Sequence, residues 1–238
     1  MISVCLTTYN GEKYIEEQLS SILAQLRPDD EIIVSDDNSE DATLAVIERM
    51  HSKQIKVLTH KEEHYGYTRN FENALKHASG DVVFLSDQDD VWMPDKVEKC
   101  LEALSRASLV VSDAQIVDAQ GNELFPSFYA LRRPYASFVG NVVKFGYLGC
   151  CMCMKREVLE RALPFPPNNR LCTHDNWIFL VAAFFYNTKI LNLPLIKYRR
   201  HGTNASDGGV KNRTSPWFKV RYRCYLLYHL LLRTIGMK

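Results

Sequence analysis

The chain has 238 residues, with 29 Lys plus Arg against 28 Asp plus Glu and a net charge of +1. That length carries one sizeable core, so one domain is the default. A charge this balanced excludes the basic field of a nucleic-acid binder, and no nucleic-acid partner is expected. Hydrophobic content of 46% and charged content of 24% are those of an ordinary soluble domain. Met1 to Tyr9 lacks a basic leader and a cleavage site and reads as a first strand. No apolar run reaches the roughly 18 residues of a transmembrane helix. The seven cysteines, among them Cys5, Cys100, Cys150, Cys151 and Cys153, are expected as small core residues in a reducing cytoplasm. A Cys-Cys-x-Cys metal site lacks a second pair at zinc spacing.

In chain order, Ile2–Thr7 predicts a strand. Asn10 stands where it would cap a helix whose apolar face is Tyr14, Ile15, Leu19, Ile22 and Leu23. Ile32–Val34 predicts the second strand and runs into Asp36 and Asp37. Asp41 stands as the cap of a helix carrying Leu44, Ile47 and Met50. Ile55–Leu58 predicts a third strand. A helix from Thr68 carries Phe71, Ala74, Leu75 and Ala78 and ends at Gly80. Val82–Leu85, uninterrupted and β-branched or bulky, predicts a strand buried on both faces. Strands alternating with helices predict a parallel sheet covered on both sides.

The second half is less regular. Pro94–Leu104 predicts a helix and Leu109–Val117 a strand. Residues 123–135 read as an aromatic, proline-bearing loop, Gly149–Met154 as a strand and 164–169 as a loop. Asp175–Phe185 predicts a helix, Lys189–Leu195 a strand, and 198–209 a polar loop.

Parallel sheets bind ligands at the carboxyl ends of their strands. Polar clusters fall at three such ends: Thr8-Tyr9-Asn10, Asp36-Asp37, and Asp87-Gln88-Asp89-Asp90. Taken alone, Asp87-Gln88-Asp89 is either a polar turn or a hard-metal site. Carboxylates packed this closely repel unless a cation neutralises them. Three polar strand ends together favour a site for a divalent cation, Mg²⁺ or Mn²⁺. No G-x-G-x-x-G follows the first strand and no G-x-x-x-x-G-K-[ST] occurs, which excludes the usual dinucleotide cradle and the P-loop.

The segments Thr7-Thr8-Tyr9-Asn10-Gly11, Ser35-Asp36-Asp37-Asn38-Ser39-x-Asp41, Tyr65-Gly66-x-x-Arg69-Asn70-Phe71-x-x-Ala74-Leu75, Ser86-Asp87-Gln88-Asp89-Asp90-Val91-Trp92, His174-Asp175-x-Trp177 and Tyr198-Arg199-x-His201-x-x-Asn204 resemble the inverting family 2 glycosyltransferases. They stand in that family's order, and the Asp-Gln-Asp-Asp-x-Trp form is most similar to its bacterial rhamnosyltransferase-like branch. The resemblance implies a GT-A-type single α/β domain over 1–212, with a Rossmann-like, mostly parallel central sheet and helices on both faces. Residues 1–106 would bind the nucleotide sugar and 107–212 the acceptor. It implies transfer of a hexosyl or deoxyhexosyl group, such as rhamnosyl, from a UDP- or dTDP-type donor to an acceptor hydroxyl. The setting would be O-antigen or capsule assembly, with a polyprenyl-diphosphate-linked glycan as acceptor. A galactosyl or N-acetylhexosaminyl transferase of the same family, or a non-catalytic sugar-nucleotide-binding subunit, is the alternative.

By similarity, Asp89 is the metal ligand, and His201 adds a second ligand or touches the diphosphate. Asp87 faces the ribose or sugar, and Thr8, Asn10 and Gln88 fall at the donor. Tyr9 offers an aromatic face to the base and Asp37 a carboxylate to its imide N–H. Arg69 faces the diphosphate, buttresses Asp89, or points outward. Asp175 is the base that inversion requires, or only the cap of its helix. His174 is a rival base with a pKa nearer neutral. Trp92 and Trp177 fall around the acceptor side, and Asp90 is structural. The tail, 213–238, mixes aromatics, leucines and cations. It reads either as an interfacial helix on the inner face of the membrane or as a core-packing helix with a basic outer face.

Overall fold

The computed structural model describes residues 1–59, 66–202 and 215–236. Tyr65, Asn204 and most of the 198–209 loop lie outside the described residues. One mixed sheet runs through the described chain. Its first half is β1 (Ile2–Thr8), β2 (Glu31–Asp36), β3 (Ile55–Thr59) and β4 (Val82–Asp87), all parallel, in the order β3-β2-β1-β4. The intervening helices are α1 (Ile15–Leu23), α2 (Thr43–Arg49) and α3 (Gly66–His77). β1 and β2 are buried along their whole length, as expected of strands covered on both faces.

The second half supplies β5 (Val91–Trp92), α4 (Lys96–Leu104), β6 (Leu109–Val117), β7 (Glu123–Phe125), α5 (Phe128–Arg132) and α6 (Phe138–Val143). After these come β8 (Met152–Lys155), α7 (Arg156–Ala162), α8 (His174–Phe185), β9 (Thr188–Arg199) and α9 (Pro216–Thr234). β8 pairs antiparallel with both β4 and β6, and β9 runs parallel to β6. The mostly parallel sheet is therefore present, with β5, β7 and β8 running against it.

Several local readings change. α1 begins at Ile15 rather than after Asn10, which sits at φ 50° in the loop before it. Asn10 instead accepts a hydrogen bond from the Glu40 N–H. Asp41 accepts from the Thr43 N–H at 2.9 Å, one residue ahead of Ala42, which holds the N-cap position of the helix it was expected to cap. Residues 123–135 are not a plain loop: they hold β7 and α5, the latter capped by the Ser127 hydroxyl on the Ala130 N–H. Gly149–Cys151 is a 3₁₀ turn, so the expected strand starts only at Met152. α6 and α7 are helices that periodicity over so few residues does not reveal.

Six of the seven cysteines are buried and unpaired, as expected of core residues, and Cys224 alone is exposed. α9 packs one stripe, Leu226 and Leu230, into the core beside α8. Among the described residues no helix is long and apolar enough to cross a membrane.

Candidate active site

The register of the sheet brings the three polar strand ends together. Thr8 pairs with Asp36, and Thr7 with Asp87. The first loop is held by one side chain. The Gln88 amide oxygen accepts from the Thr8 hydroxyl at 2.6 Å and from the Tyr9 N–H at 2.8 Å, and its NH₂ donates to the Tyr9 carbonyl at 3.0 Å. Gln88 therefore ties the loop after β4 to the loop after β1. Gly11 is required beside it, because an added Cβ would lie 2.3 Å from the Gln88 oxygen.

Tyr9 is exposed, while the Asp37 carboxylate is buried and accepts from the Gly66 N–H at 2.9 Å. Asn10 holds the Ser39–Glu40 turn through its backbone and side chain. The first and second loops thus brace each other around Tyr9 and Asp37. Glu12 adds to this by accepting from the Ala42 N–H at 2.8 Å.

The carboxylate cluster is organised by α1 and β9. On α1, the buried Gln18 donates to the Ser86 hydroxyl at 2.7 Å and to the Asp87 carbonyl at 3.0 Å. Ser21 accepts from the Trp92 N–H at 3.0 Å. Just beyond the helix, Gln25 bridges the Met93 carbonyl and the Val97 N–H. From the far end of β9, the buried Arg199 donates through Nε to the Asp89 carbonyl at 2.9 Å, and its other arm pairs with Glu17 at 2.7 Å. The Arg199 N–H reaches Asp90 Oδ1 at 3.1 Å. His201 Nε2 stands 2.7 Å from Asp89 Oδ2, and its ring stacks on Tyr14 at 5.0 Å.

Asp90 is buried and bound to the Arg199 backbone, as a structural residue would be. Trp92 is buried beneath the loop, 5.3 Å from the Phe84 ring. The Cys-Cys-x-Cys run does not converge on a metal. Cys150 alone approaches the carboxylates, its Sγ within 4.8 Å of Asp87 and Asp90. It does so because the chain leaves the sheet at Gly149–Cys151 beside the end of β4.

Burial, with the charges of Asp89 and Asp175 close by, raises the Asp87 carboxyl to about 7. Burial and the same cluster push Asp90 well above the usual range. Such a group of close carboxylates, Asp89 and Asp90 buried and Asp87 half-buried, with an imidazole on one of them, is a donor set suited to a divalent cation. Asp89 and His201 are the pair already aimed at each other.

Across from Asp87, α8 presents Asp175 in its first turn, half-buried, with Oδ1 accepting from the Asn176 N–H. The N-cap position of α8 is Thr173, whose side chain makes no capping bond, and Asp175 lies inside the first turn, so it is not the cap. His174 is buried, stacked on Phe71 at 4.0 Å, and neither ring nitrogen has a partner among the described residues. Burial lowers its pKa. A neutral ring shut away in this manner cannot reach an acceptor hydroxyl, which disfavours it as the base.

Tyr67, partly exposed and edge-on to His174 at 5.9 Å, carries a phenol that partial burial and the Asp175 charge push up. Arg69 reaches neither Asp89 nor the cleft centre. It pairs with Glu72 and donates to the Pro166 carbonyl at 3.0 Å, while Glu72 also accepts from the Phe165 N–H. That link ties α3 to the segment leading into α8. Trp177 is fully buried, its indole N–H on the Ala162 carbonyl at 2.8 Å, so it supports α8 from within and lines no acceptor surface.

Sequence reasoning gave no role to Gln18, Ser21, Glu17 or Tyr67, and read Tyr14 as part of an apolar helix face and Cys150 as a core residue. Arg199 was visible only as part of a motif. The polar residues on the buried side of α1 were the one signal available, since Gln18 interrupts an apolar stripe.

Comparison with known proteins places this geometry. The family model described as Glycosyl transferase family 2 matches residues 3–163. A dTDP-rhamnosyl transferase, RfbG, of Shigella flexneri is 29% identical, over 92% of this chain and 77% of its own length. A glycosyltransferase of Haemophilus influenzae, uncharacterized, is 34% identical over 87% of this chain and 68% of its own. Among solved structures, S. aureus TarS 1-349 in complex with UDP-GlcNAc superposes with a TM-score of 0.71 at 18% identity, covering 99% of this chain and 72% of that one. The mannosyltransferase PcManGT of Pyrobaculum calidifontis, in complex with GDP-Man and Mn2+, gives 0.63 at 20% identity, with 98% and 71% covered. The fold is that of the GT-A glycosyltransferases, and the chain belongs to glycosyltransferase family 2.

Proposed function

We propose that this chain transfers a hexosyl or deoxyhexosyl group, rhamnosyl being the first candidate, from a nucleoside diphosphate sugar to a glycan hydroxyl with inversion at the anomeric carbon. The observation that carries the reading is the convergence, at one mouth of the sheet, of the Asp89–His201 pair, Asp87 and Asp175. The base lies on Tyr9 with its imide N–H toward Asp37, and the sugar lies toward Asp87. Asp89 and His201 would hold the divalent cation, Mg²⁺ or Mn²⁺, which when bound would neutralise charge on the diphosphate leaving group. Asp175 accepts the proton of the acceptor hydroxyl. The oxygen forms its bond to C1 as the C1–O bond to phosphate breaks, and that electron pair leaves with the nucleoside diphosphate.

Rhamnosyl is supported by the Shigella relative, named as a dTDP-rhamnosyl transferase. A lipid-linked acceptor is supported by an Escherichia coli relative, 26% identical over 91% of this chain, named as a glucosyltransferase acting on GlcNAc-diphosphoundecaprenol. The place is the cytoplasmic face of the membrane, in assembly of a cell-surface polysaccharide. A panel of UDP-, dTDP- and GDP-sugars, read as released nucleoside diphosphate with a lipid-diphosphate acceptor, tests this. One donor is expected to turn over, and Asp175→Asn to cut turnover by about 10²–10⁴-fold with donor binding kept. Donor binding without turnover across the panel would instead favour a sugar-nucleotide-binding subunit. An Asp175→Asn protein of near-normal turnover would remove Asp175 as the base.

A further inference from the structure

The outer face of α9 is apolar where a surface helix should be polar. Trp217, Val220, Tyr228, Leu231 and Ile235 are all exposed, Trp217 by 75% and Ile235 by 67%. At 100° per residue they fall on one stripe, and the buried Leu226, Leu230 and Arg233 fall on the opposite one. The helix therefore has two apolar faces, and only one meets the core.

A second element continues the outer face. α6 exposes Val139 by 68% and Val143 by 56%, one turn apart. Arg223 of α9 donates through Nε to the Val142 carbonyl at 2.9 Å and also bonds the Val143 carbonyl, fixing the end of α6 beside α9. α6 is packed from behind by α8, through Phe138 on Phe184. α8 is the helix whose first turn carries Asp175.

Charge decides what this face meets. Residues 124–148 and 215–236 together contain seven of the chain's 29 Lys and Arg residues and none of its 28 Asp and Glu residues. Arg133, Lys144, Lys219 and Arg221 are exposed. A second copy of the chain would bring cations onto cations across a twofold interface. An anionic lipid surface complements both the cations and the apolar side chains, with Trp and Tyr at the level they favour.

We infer that α6 and α9 form one composite surface that docks on an anionic membrane and sets the mouth holding Asp175 toward the lipid. The inference rests on the lipid-linked acceptor proposed above only for its purpose. The docking is measured without donor or acceptor, so either reading can fail alone.

The test uses the full chain with vesicles of phosphatidylcholine alone or with phosphatidylglycerol added. Partition is followed by co-sedimentation and by tryptophan emission. Trp217 reports the contact, because Trp92 and Trp177 are buried. Expected is partition into the anionic vesicles only, with a blue-shifted emission absent in Trp217→Phe and weakened by salt. Arg221→Ala, at the edge of the exposed apolar stripe, should lower partition about fivefold, the factor for one cation near the surface. Val139→Glu with Val143→Glu, at exposed positions that fold without strain, should lower it at least about tenfold. Equal partition into neutral vesicles would overturn the proposal, as would anionic binding unchanged by the α6 pair. Concentration-dependent self-association abolished by the same substitutions would also overturn it, in favour of a second copy.

Discussion

Replacing Gly11 by alanine tests whether Gln88 locks the loop after β1. The added Cβ would stand 2.3 Å from the Gln88 amide oxygen, 2.7 Å from its Cδ and 3.0 Å from the Thr8 hydroxyl. The amide must swing out, and its three hydrogen bonds to Thr8 and Tyr9 go with it. At about 1 kcal/mol net each, the loss is about 3 kcal/mol, with the buried Thr8 hydroxyl left dry. Backbone entropy alone gives the opposite sign, a gain of about 0.4–1 kcal/mol for Gly→Ala at a compatible φ. The assay is a double-mutant cycle in denaturant with Gln88→Ala, paired with calorimetry of nucleoside diphosphate binding. Each single change should cost about 2–3 kcal/mol and weaken binding by at least about tenfold, since Tyr9 loses its anchor. In the Gln88→Ala background, Gly11→Ala should be neutral or stabilising, a coupling of about 2–3 kcal/mol. Additive costs, or a stabilising single Gly11→Ala, would refute the lock.

Other outcomes follow from the same geometry. Asp89→Ala, or chelation of divalent cations, should abolish cation-dependent nucleoside diphosphate binding in calorimetry; unchanged binding would take Asp89 out of the site. His174→Phe should fold and keep most of its turnover, because neither ring nitrogen has a partner to lose among the described residues; a loss matching that of Asp175→Asn would restore His174 as the base. Asp87 titrates at about 7 in the fold, from about 3.9 in the unfolded chain. Between those values the native state holds a proton that the unfolded chain lacks. Its stabilising contribution is therefore present below about pH 4 and lost as pH rises through about 7. In chelator, the melting temperature of the wild type relative to Asp87→Asn should fall across that window, and the difference cancels the histidines. A flat or rising difference would contradict the buried-carboxylate assignment.

Much of the first half was legible because parallel strands buried on both faces read as unbroken apolar runs, and turn chemistry marks their ends. That logic placed Thr8, Asp36 and Asp87 at one rim, and the register confirms the rim. The second half was less legible for physical reasons. A helix as short as α6, with six residues, shows less than two turns of periodicity. The apolar run at Gly149–Met154 cannot reveal that its first three residues leave the sheet as a 3₁₀ turn, which is what carries Cys150 to Asp87. Trp177 looked like a site residue by its place beside Asp175. One step along a helix turns a side chain by 100°, and two steps put it on the far side, in the core.

The support of the site was the hardest part to read, because it resides in an element whose periodicity predicts only a core-facing helix. Gln18 occupies a buried position on α1 where an apolar residue would pack equally well. Its two donations to Ser86 and Asp87 exist only because β1 and β4 are neighbours, a fact of topology and not of local sequence. Glu17 is exposed and reads as a solvated helix charge until Arg199 arrives from 182 residues away. That arginine is buried, so leaving it without Glu17 and the Asp89 carbonyl would strand a charge in the protein. The loop after β4, α1 and the end of β9 must therefore assemble together. This coupling explains how Asp89 is held against His201 at 2.7 Å although the loop bearing it is packed with like charges.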